Sequence, residues 1–299
     1  MPSLDSHAIL LTELLREKRR GRRWGVFFKL AALAIILTII GWSLVHQVIQ
    51  TATPHVAMVR VDGVLSAGGD VNAGEIVQGL RDAFDSATAT GVLLRINSPG
   101  GSPSEAGAVF DEIRRLRALH PQKPLYAVIT ESGTSAAYYV AAAADRIYAN
   151  RASVVGSIGV IIEGFGFTGA MEKLGVERRL VMSGQSKNFL DPFSPLRARD
   201  VQNARALVDD VHQQFVNAVR RGRAGKLKEE EKLFTGLVWS GERALELGLV
   251  DGLADPWLVV GKHFETDTML DYTPEREWEW LTSAGQAGAA MFKRGIGWQ

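Results

Sequence analysis

The sequence predicts an α/β protein, a mainly parallel β-sheet covered by helices and preceded by one transmembrane helix. Three observations carry this expectation. Between residues 55 and 150, short Val- and Ile-rich runs alternate with longer segments whose apolar residues recur at helical spacing. Strand–helix alternation of this kind folds through helical crossovers, which leave the strands parallel. Ahead of it, Val26 to Val45 is almost unbroken apolar sequence, and a helix of about 20 residues spans the roughly 30 Å core of a bilayer. The 299-residue chain is 46% apolar and 22% charged, enough core for one large domain or two small ones.

Residues 1–24 read as a short cytosolic tail. It ends in Arg16 to Arg23, with six positive side chains against one Glu. Positive flanks stay cytoplasmic, so the rest of the chain is expected on the extracytoplasmic side of the plasma (inner) membrane. The span is placed at 25–47. Lys29 lies at its N-terminal edge and can snorkel, and Trp24 and Trp42 lie near its two ends, where indole rings favour the interface. A cleaved signal peptide would have an apolar core of about 7–15 residues and a small-residue cleavage site. Thr51 to Thr53 is a poor version of that site, so the segment reads as an uncleaved anchor. Residues 48–54 are a brief linker.

The folded domain is expected over 55–264. His55 to Val61 is a Val-rich strand, and Ala73 to Phe84 a helix with Ile76, Val77, Leu80 and Phe84 at helical spacing. Gly91 to Asn97 is a buried-type strand. Glu105 to Leu119 is a helix with Val109, Ile113 and Leu116 on one face. Pro124 to Thr130 is a strand, Ser135 to Ala144 a small-residue helix, and Arg146 to Asn150 another strand. Leu180 to Met182 is expected to end a strand that leads into a loop bearing Lys187. Val201, Leu207, Val208, Val211, Phe215 and Val219 line one face of a long helix. Residues 265–299 form a C-terminal tail with little pattern. Trp278 to Leu281 is apolar enough to pack on the domain or on a neighbour.

Composition excludes several chemistries. A net charge of +1 gives no bulk electrostatic case for nucleic acid. The chain has no cysteine, which removes disulfides, thiol nucleophiles and thiolate metal sites. None of its six histidines has the spacing of a zinc helix, and there is no Walker A loop, so neither metal nor cofactor is expected.

Four segments carry chemistry. They are Ile96 to Ser102 (I-N-S-P-G-G-S), Gly133 to Tyr139 (G-T-S-A-A-Y-Y), Val155 to Ile161 (V-G-S-I-G-V-I) and Ser183 to Pro195 (S-G-Q-S-K-N-F-L-D-P-F-S-P). Together they resemble the signal peptide peptidase A family of membrane-bound serine peptidases, and the resemblance covers roughly Val56 to Asp255. Phe234 to Asp251 resembles the family's closing segment. The chain looks like the short form of the family, with no repeat of the peptidase domain. The resemblance implies the ClpP/crotonase-like fold of ββα units. It also implies a Ser nucleophile activated by a Lys, with apolar peptides such as remnant signal peptides as substrates. Ring- or dome-shaped homo-oligomers follow from it too, and leave open whether the Ser and Lys pair within one protomer or between two.

Carried onto this sequence, the nucleophile is Ser135, the general base Lys187 and the residue that orients the Lys Ser157. Ser135 follows a strand and opens a helix, where orphan N–H groups favour developing negative charge. By local pattern alone it reads as an N-cap serine, and the resemblance turns the reading to the nucleophile. Ser132 is the nearest rival. A base must be neutral near pH 7, so the Lys187 amine has to fall about three units from a reference of about 10.4. The glycines of Ser98 to Ser102 let backbone N–H groups approach a substrate carbonyl, and the resemblance puts the oxyanion hole at Gly100 and Gly101. The chain departs from the family at Asn188, where Asp is common, and at Ala136 and Ala137, where glycines are common. These departures support a second reading, a catalytically impaired scaffold in a membrane complex. A third, an acyl-CoA enzyme of the same fold, conflicts with the outward topology. His120 and His212 are the histidines available to a Ser–His–Asp site.

Overall fold

The structure is a computed structural model that describes residues 29–41, 53–228 and 230–274. The chain divides into two compact units, Met1–Thr53 and Pro54–Gln299. In the first, residues 29–41 are helix α1, whose Leu30, Leu33, Ile35 and Ile39 are all more than half exposed. Among the described residues no helix is long and apolar enough to cross a membrane. The expected cytosolic tail, residues 48–52 of the expected linker, the flanks of the expected span and Trp278 to Leu281 lie outside the described residues.

The second unit is built on an eight-stranded sheet. β1 (His55–Asp62), β2 (Ala89–Ser98) and β3 (Leu125–Thr134) run parallel at its centre, joined through α2 (Ala73–Asp85) and α3 (Pro103–Leu119). These strands are near-continuous Val, Leu, Ile and Ala because both faces are covered. Ala57, Val59, Val61, Val92, Leu94, Ile96, Leu125, Ala127 and Ile129 join the main core. The alternate residues Val56, Leu93 and Val128 pack on Val259, Val260 and Phe264 of the C-terminal helix region. β4 (Arg146–Ala149) pairs parallel with the start of β3, and β5 (Val154–Gly156) with its end. β6 (Val238–Ser240) closes this side antiparallel to β5, while β7 (Gly252–Leu253) pairs with β4. The mostly parallel sheet fits the expected ClpP/crotonase-like arrangement.

Two elements differ from the sequence expectation. The small-residue helix is only α4 (Ala136–Ala141), with a turn over Ala142 to Ala144. No strand forms at Leu180 to Met182. Val181 is 99% exposed there, because no partner strand lies beside it. Residues 159–197 hold one short helix, α5 (Thr168–Leu174), and leave Ile161, Phe165, Leu174 and Leu196 open to solvent. The long helix α6 (Ala198–Gly222) follows. Phe215, Val216, Ala218 and Val219 in its last turns are buried, whereas Val201 and Leu207 are exposed. Residues 159–211 thus form an arm in which Asp200 alone is buried among the described residues, and α6 packs on the core through its C-terminal half.

After α7 (Gly241–Glu246) and α8 (Pro256–His263) comes a strand that the sequence did not announce. β8 (Met269–Asp271) pairs parallel with β1 and covers the sheet edge. Tyr272 Oη lies 2.9 Å from Nε2 of buried His55 and donates to Ser86 Oγ at 3.1 Å.

Candidate active site

Ser135 lies where β3 stops and α4 begins. Its φ of 54° and ψ of −127° are open to glycine but strained for a residue with a Cβ. The plain N-cap reading does not hold, since its side chain makes no capping bond. The conformation is fixed from both sides. Ser135 N–H donates to Gly156 O at 2.8 Å, and Ser135 C=O accepts from Tyr139 N–H at 3.0 Å. Such a sharp strand-to-helix turn lifts a hydroxyl clear of the sheet. Ala136 and Ala137 are buried and lack left-handed backbones, so neither position requires glycine.

The glycine loop packs directly against this turn. A Cβ on Gly100 would stand 2.6 Å from Ser135 Cβ and 2.9 Å from Thr134 O, and its φ is +111°. A Cβ on Gly101 would collide with the Leu65 carbonyl at 2.1 Å. The two glycines are not equivalent as donors. Gly100 N–H already donates to Ser98 Oγ at 3.1 Å. Gly101 N–H and Ala136 N–H, the latter at the first position of α4, have no hydrogen-bond partner among the described residues. The sequence reading overlooked Ser98, which is fully buried, and Thr134, whose Oγ1 donates to Pro99 O at 3.0 Å and ties β3 to the loop. Both stand inside the quoted motifs. Nothing in one dimension marks them as the loop's fasteners.

Ser157 follows Gly156, the acceptor for Ser135 N–H, and is itself left-handed with φ 52°. Its N–H donates to Leu237 O at 2.7 Å, and the next carbonyl, Ile158 O, accepts from Gly236 N–H at 3.1 Å. His212 on α6 places Nε2 3.2 Å from the same carbonyl. The structure therefore brings Ser135, Gly100, Gly101 and Ser157 together, and His212 near them. His120 sits elsewhere, tilted against Phe84.

Lys187 makes no hydrogen bond to this cluster among the described residues. It lies exposed on the arm, in a run of tight turns that begins with Lys187 N–H donating to Gly184 O. Among the described residues, Ser135 Oγ, Ser157 Oγ and Lys187 Nζ have no hydrogen-bond partner. Helix α6 measures the gap. Arg197 at its start contacts Asn188, and His212 contacts Ile158, fifteen residues further on. At 1.5 Å per residue the helix positions that make these two contacts lie roughly 22 Å apart along the axis. Among the described residues no group of three or more His, Asp or Glu could hold a metal ion.

Comparison with known proteins matches this arrangement to one family. A sequence profile of peptidase family S49 matches residues 117–259, a stretch that holds Ser135, Ser157 and Lys187. A Brucella melitensis protein named Na(+)/H(+) antiporter NhaA is 37% identical over 217 residues, which cover 71% of this chain and 29% of that protein. A putative signal peptide peptidase SppA of Enterococcus faecium is 34% identical over 161 residues, 54% of this chain and 46% of that one. A putative protease of Synechocystis is 32% identical over 187 residues, 60% of this chain and 66% of that one. The chain thus spans under a third of the first relative and less than half of the second. The chain belongs to peptidase family S49, the family of signal peptide peptidase A.

Proposed function

We propose that this chain is a membrane-anchored serine endopeptidase that cleaves apolar peptides, such as remnant signal peptides, by acyl transfer through Ser135. The observation that carries the reading is the strained turn that holds Ser135 against a glycine loop with unpartnered N–H groups. Lys187 Nζ, as the neutral amine, removes the Ser135 hydroxyl proton as Oγ attacks the scissile carbonyl. Gly101 N–H, with Ala136 N–H, stabilises the oxyanion of the tetrahedral intermediate. Its collapse passes the proton from Lys187 to the leaving amine and leaves an ester on Ser135. Lys187 then deprotonates water, which attacks the ester, and the carboxylic acid departs as Oγ recovers a proton.

The reading requires a homo-oligomer in which Lys187 comes from a neighbouring copy. Support comes from α6, on which the residue that holds the Lys187 loop and the residue that meets the Ser157 turn stand roughly 22 Å apart along the axis. The arm's exposed Ile161, Phe165, Leu174, Val181 and Leu196 supply the apolar surface such contacts bury. The anchor rests on the apolar run at 25–47 and its basic flank.

The test is a mixing experiment with the full chain in detergent. Ser135→Ala and Lys187→Ala should each be inactive, and neither should label with a fluorophosphonate. Lys187→Arg should be equally inactive, because a guanidinium cannot act as a base near neutral pH. Co-assembled Ser135→Ala and Lys187→Ala chains should regain activity, since some Ser135 sites then meet a Lys187 from their neighbour. Activity in Ser135→Ala alone would refute the nucleophile, and mixtures that stay inactive would refute pairing between copies.

A further inference from the structure

The loop that carries Lys187 is fastened to the start of α6 by two guanidiniums, those of Arg197 and Arg199. Arg197, the residue before the helix, donates from Nη2 to Asn188 Oδ1 at 2.6 Å. Its Nε and Nη2 also donate to Asp200 Oδ2 and Oδ1, at 2.6 and 3.2 Å. Arginine has donors only, so the amide oxygen of Asn188 must be the atom facing it. Asp200 is 2% exposed and keeps the guanidinium fixed in plane and charge. A second tie lies one turn of chain away, where Arg199 Nη2 donates to Gln185 O at 2.6 Å. Between these two fastened positions stands Lys187, whose own amine contacts nothing among the described residues.

We propose that Arg197 is a positioning residue for Lys187, holding the residue after it to the start of α6 so that the amine leaves the arm in one direction. The proposal deepens the reading of Lys187 as the general base and rests on it. Its chemical requirement is specific. Position 188 must offer an acceptor oxygen, and position 197 a fork that reaches both that oxygen and Asp200. A lysine at 197 keeps a charge beside Asp200 but is a point donor without the fork.

Four variants of the full chain test this, assayed for turnover on an apolar peptide, with thermal melting and oligomer size as controls on folding. Asn188→Ala and Arg197→Lys should each lower kcat by about tenfold to a hundredfold, the usual cost of misplacing a catalytic group by about 1 Å. KM should change little, because neither side chain is placed against substrate. The double variant should be no worse than the poorer single one, since both remove the same contact. Asn188→Asp should recover most of the turnover lost in Asn188→Ala, because a carboxylate also accepts from Arg197. Unchanged kcat in both single variants, or a double loss equal to the product of the single losses, would overturn the positioning role. The base itself is tested separately: a Lys187→Ala chain that keeps turnover would remove the foundation of the proposal, whatever the Arg197 variants do.

Discussion

Replacing Ser135 by glycine and by alanine separates the chemistry of the hydroxyl from the strain of the backbone beneath it. Both variants lack the nucleophile. Alanine keeps the Cβ and therefore the strain of φ 54°, ψ −127°. Strain of this kind costs about 1–3 kcal/mol. Glycine relieves it but gains about 0.5–1 kcal/mol of extra entropy in the unfolded chain. Ser135→Gly should thus be more stable than Ser135→Ala by about 0.5–2 kcal/mol. For a domain of this size each kcal/mol moves the melting temperature by about 2–4 °C, so the glycine variant should melt about 1–8 °C higher. The assay is a pair of thermal melts on the full chain, with fluorophosphonate labelling to show that both variants are equally inert. A glycine variant that melts with or below the alanine variant would show that the turn stores no strain. The argument that Ser135 is held in a conformation imposed by its surroundings would then fail.

Three further outcomes follow from named contacts. Gly100→Ala should cut probe labelling of Ser135 by more than about a hundredfold, because the added Cβ meets backbone and Ser135 Cβ that cannot yield; wild-type labelling would refute the close approach. Asp251→Asn should cost about 3–5 kcal/mol in urea unfolding, because it leaves Arg223, buried at 1% exposure and paired with Asp251 at 2.6 Å, without its counter-charge. The same pair sets an acid dependence. Burial pushes the Asp251 carboxyl up, but hydrogen bonds from Arg223 and Lys226 outweigh it and hold it below its ordinary 3.8. A carboxyl lowered in the folded state contributes full stability above its unfolded pKa and loses it as the pH falls through the folded one. Wild-type stability should therefore decline below about pH 4, and Asp251→Asn should flatten that part of the profile; parallel curves would refute it.

The central strands and the two helices between them were legible because burial on both faces and amphipathic periodicity each write a strong local signal. His55 to Val61 and Ala73 to Phe84 fall within a residue of the observed β1 and α2. Where structure depends on a distant partner the signal disappears. Leu180 to Met182 has strand composition but no neighbour to pair with, so it forms no strand and stays exposed. β8 is three residues long, too short for any period, and exists because the edge of β1 was open. The motifs picked out Ser135, Ser157 and the glycine pair as candidates, but the left-handed backbone of the two serines does not show in their residue type. They carried no distances. The spacing of 52 residues between Ser135 and Lys187 says nothing of the arm that separates them. The difference between Gly100 and Gly101 depends on the buried Ser98 hydroxyl, which a motif records only as a serine.

The covering of β1 by β8 has a mechanical consequence. The chain enters the domain at His55, at the N-terminal end of a strand flanked along its length by β2 over eight residues and at one end by β8 over three. A pull on the preceding segment is directed along β1, parallel to both ladders. Such a load shears the cross-strand bonds together, whereas a pull across the sheet would peel them one after another. The side chains at the entrance reinforce this, because His55 is bound to Tyr272 and Tyr272 to Ser86. A domain hung by this end is gripped where the force arrives.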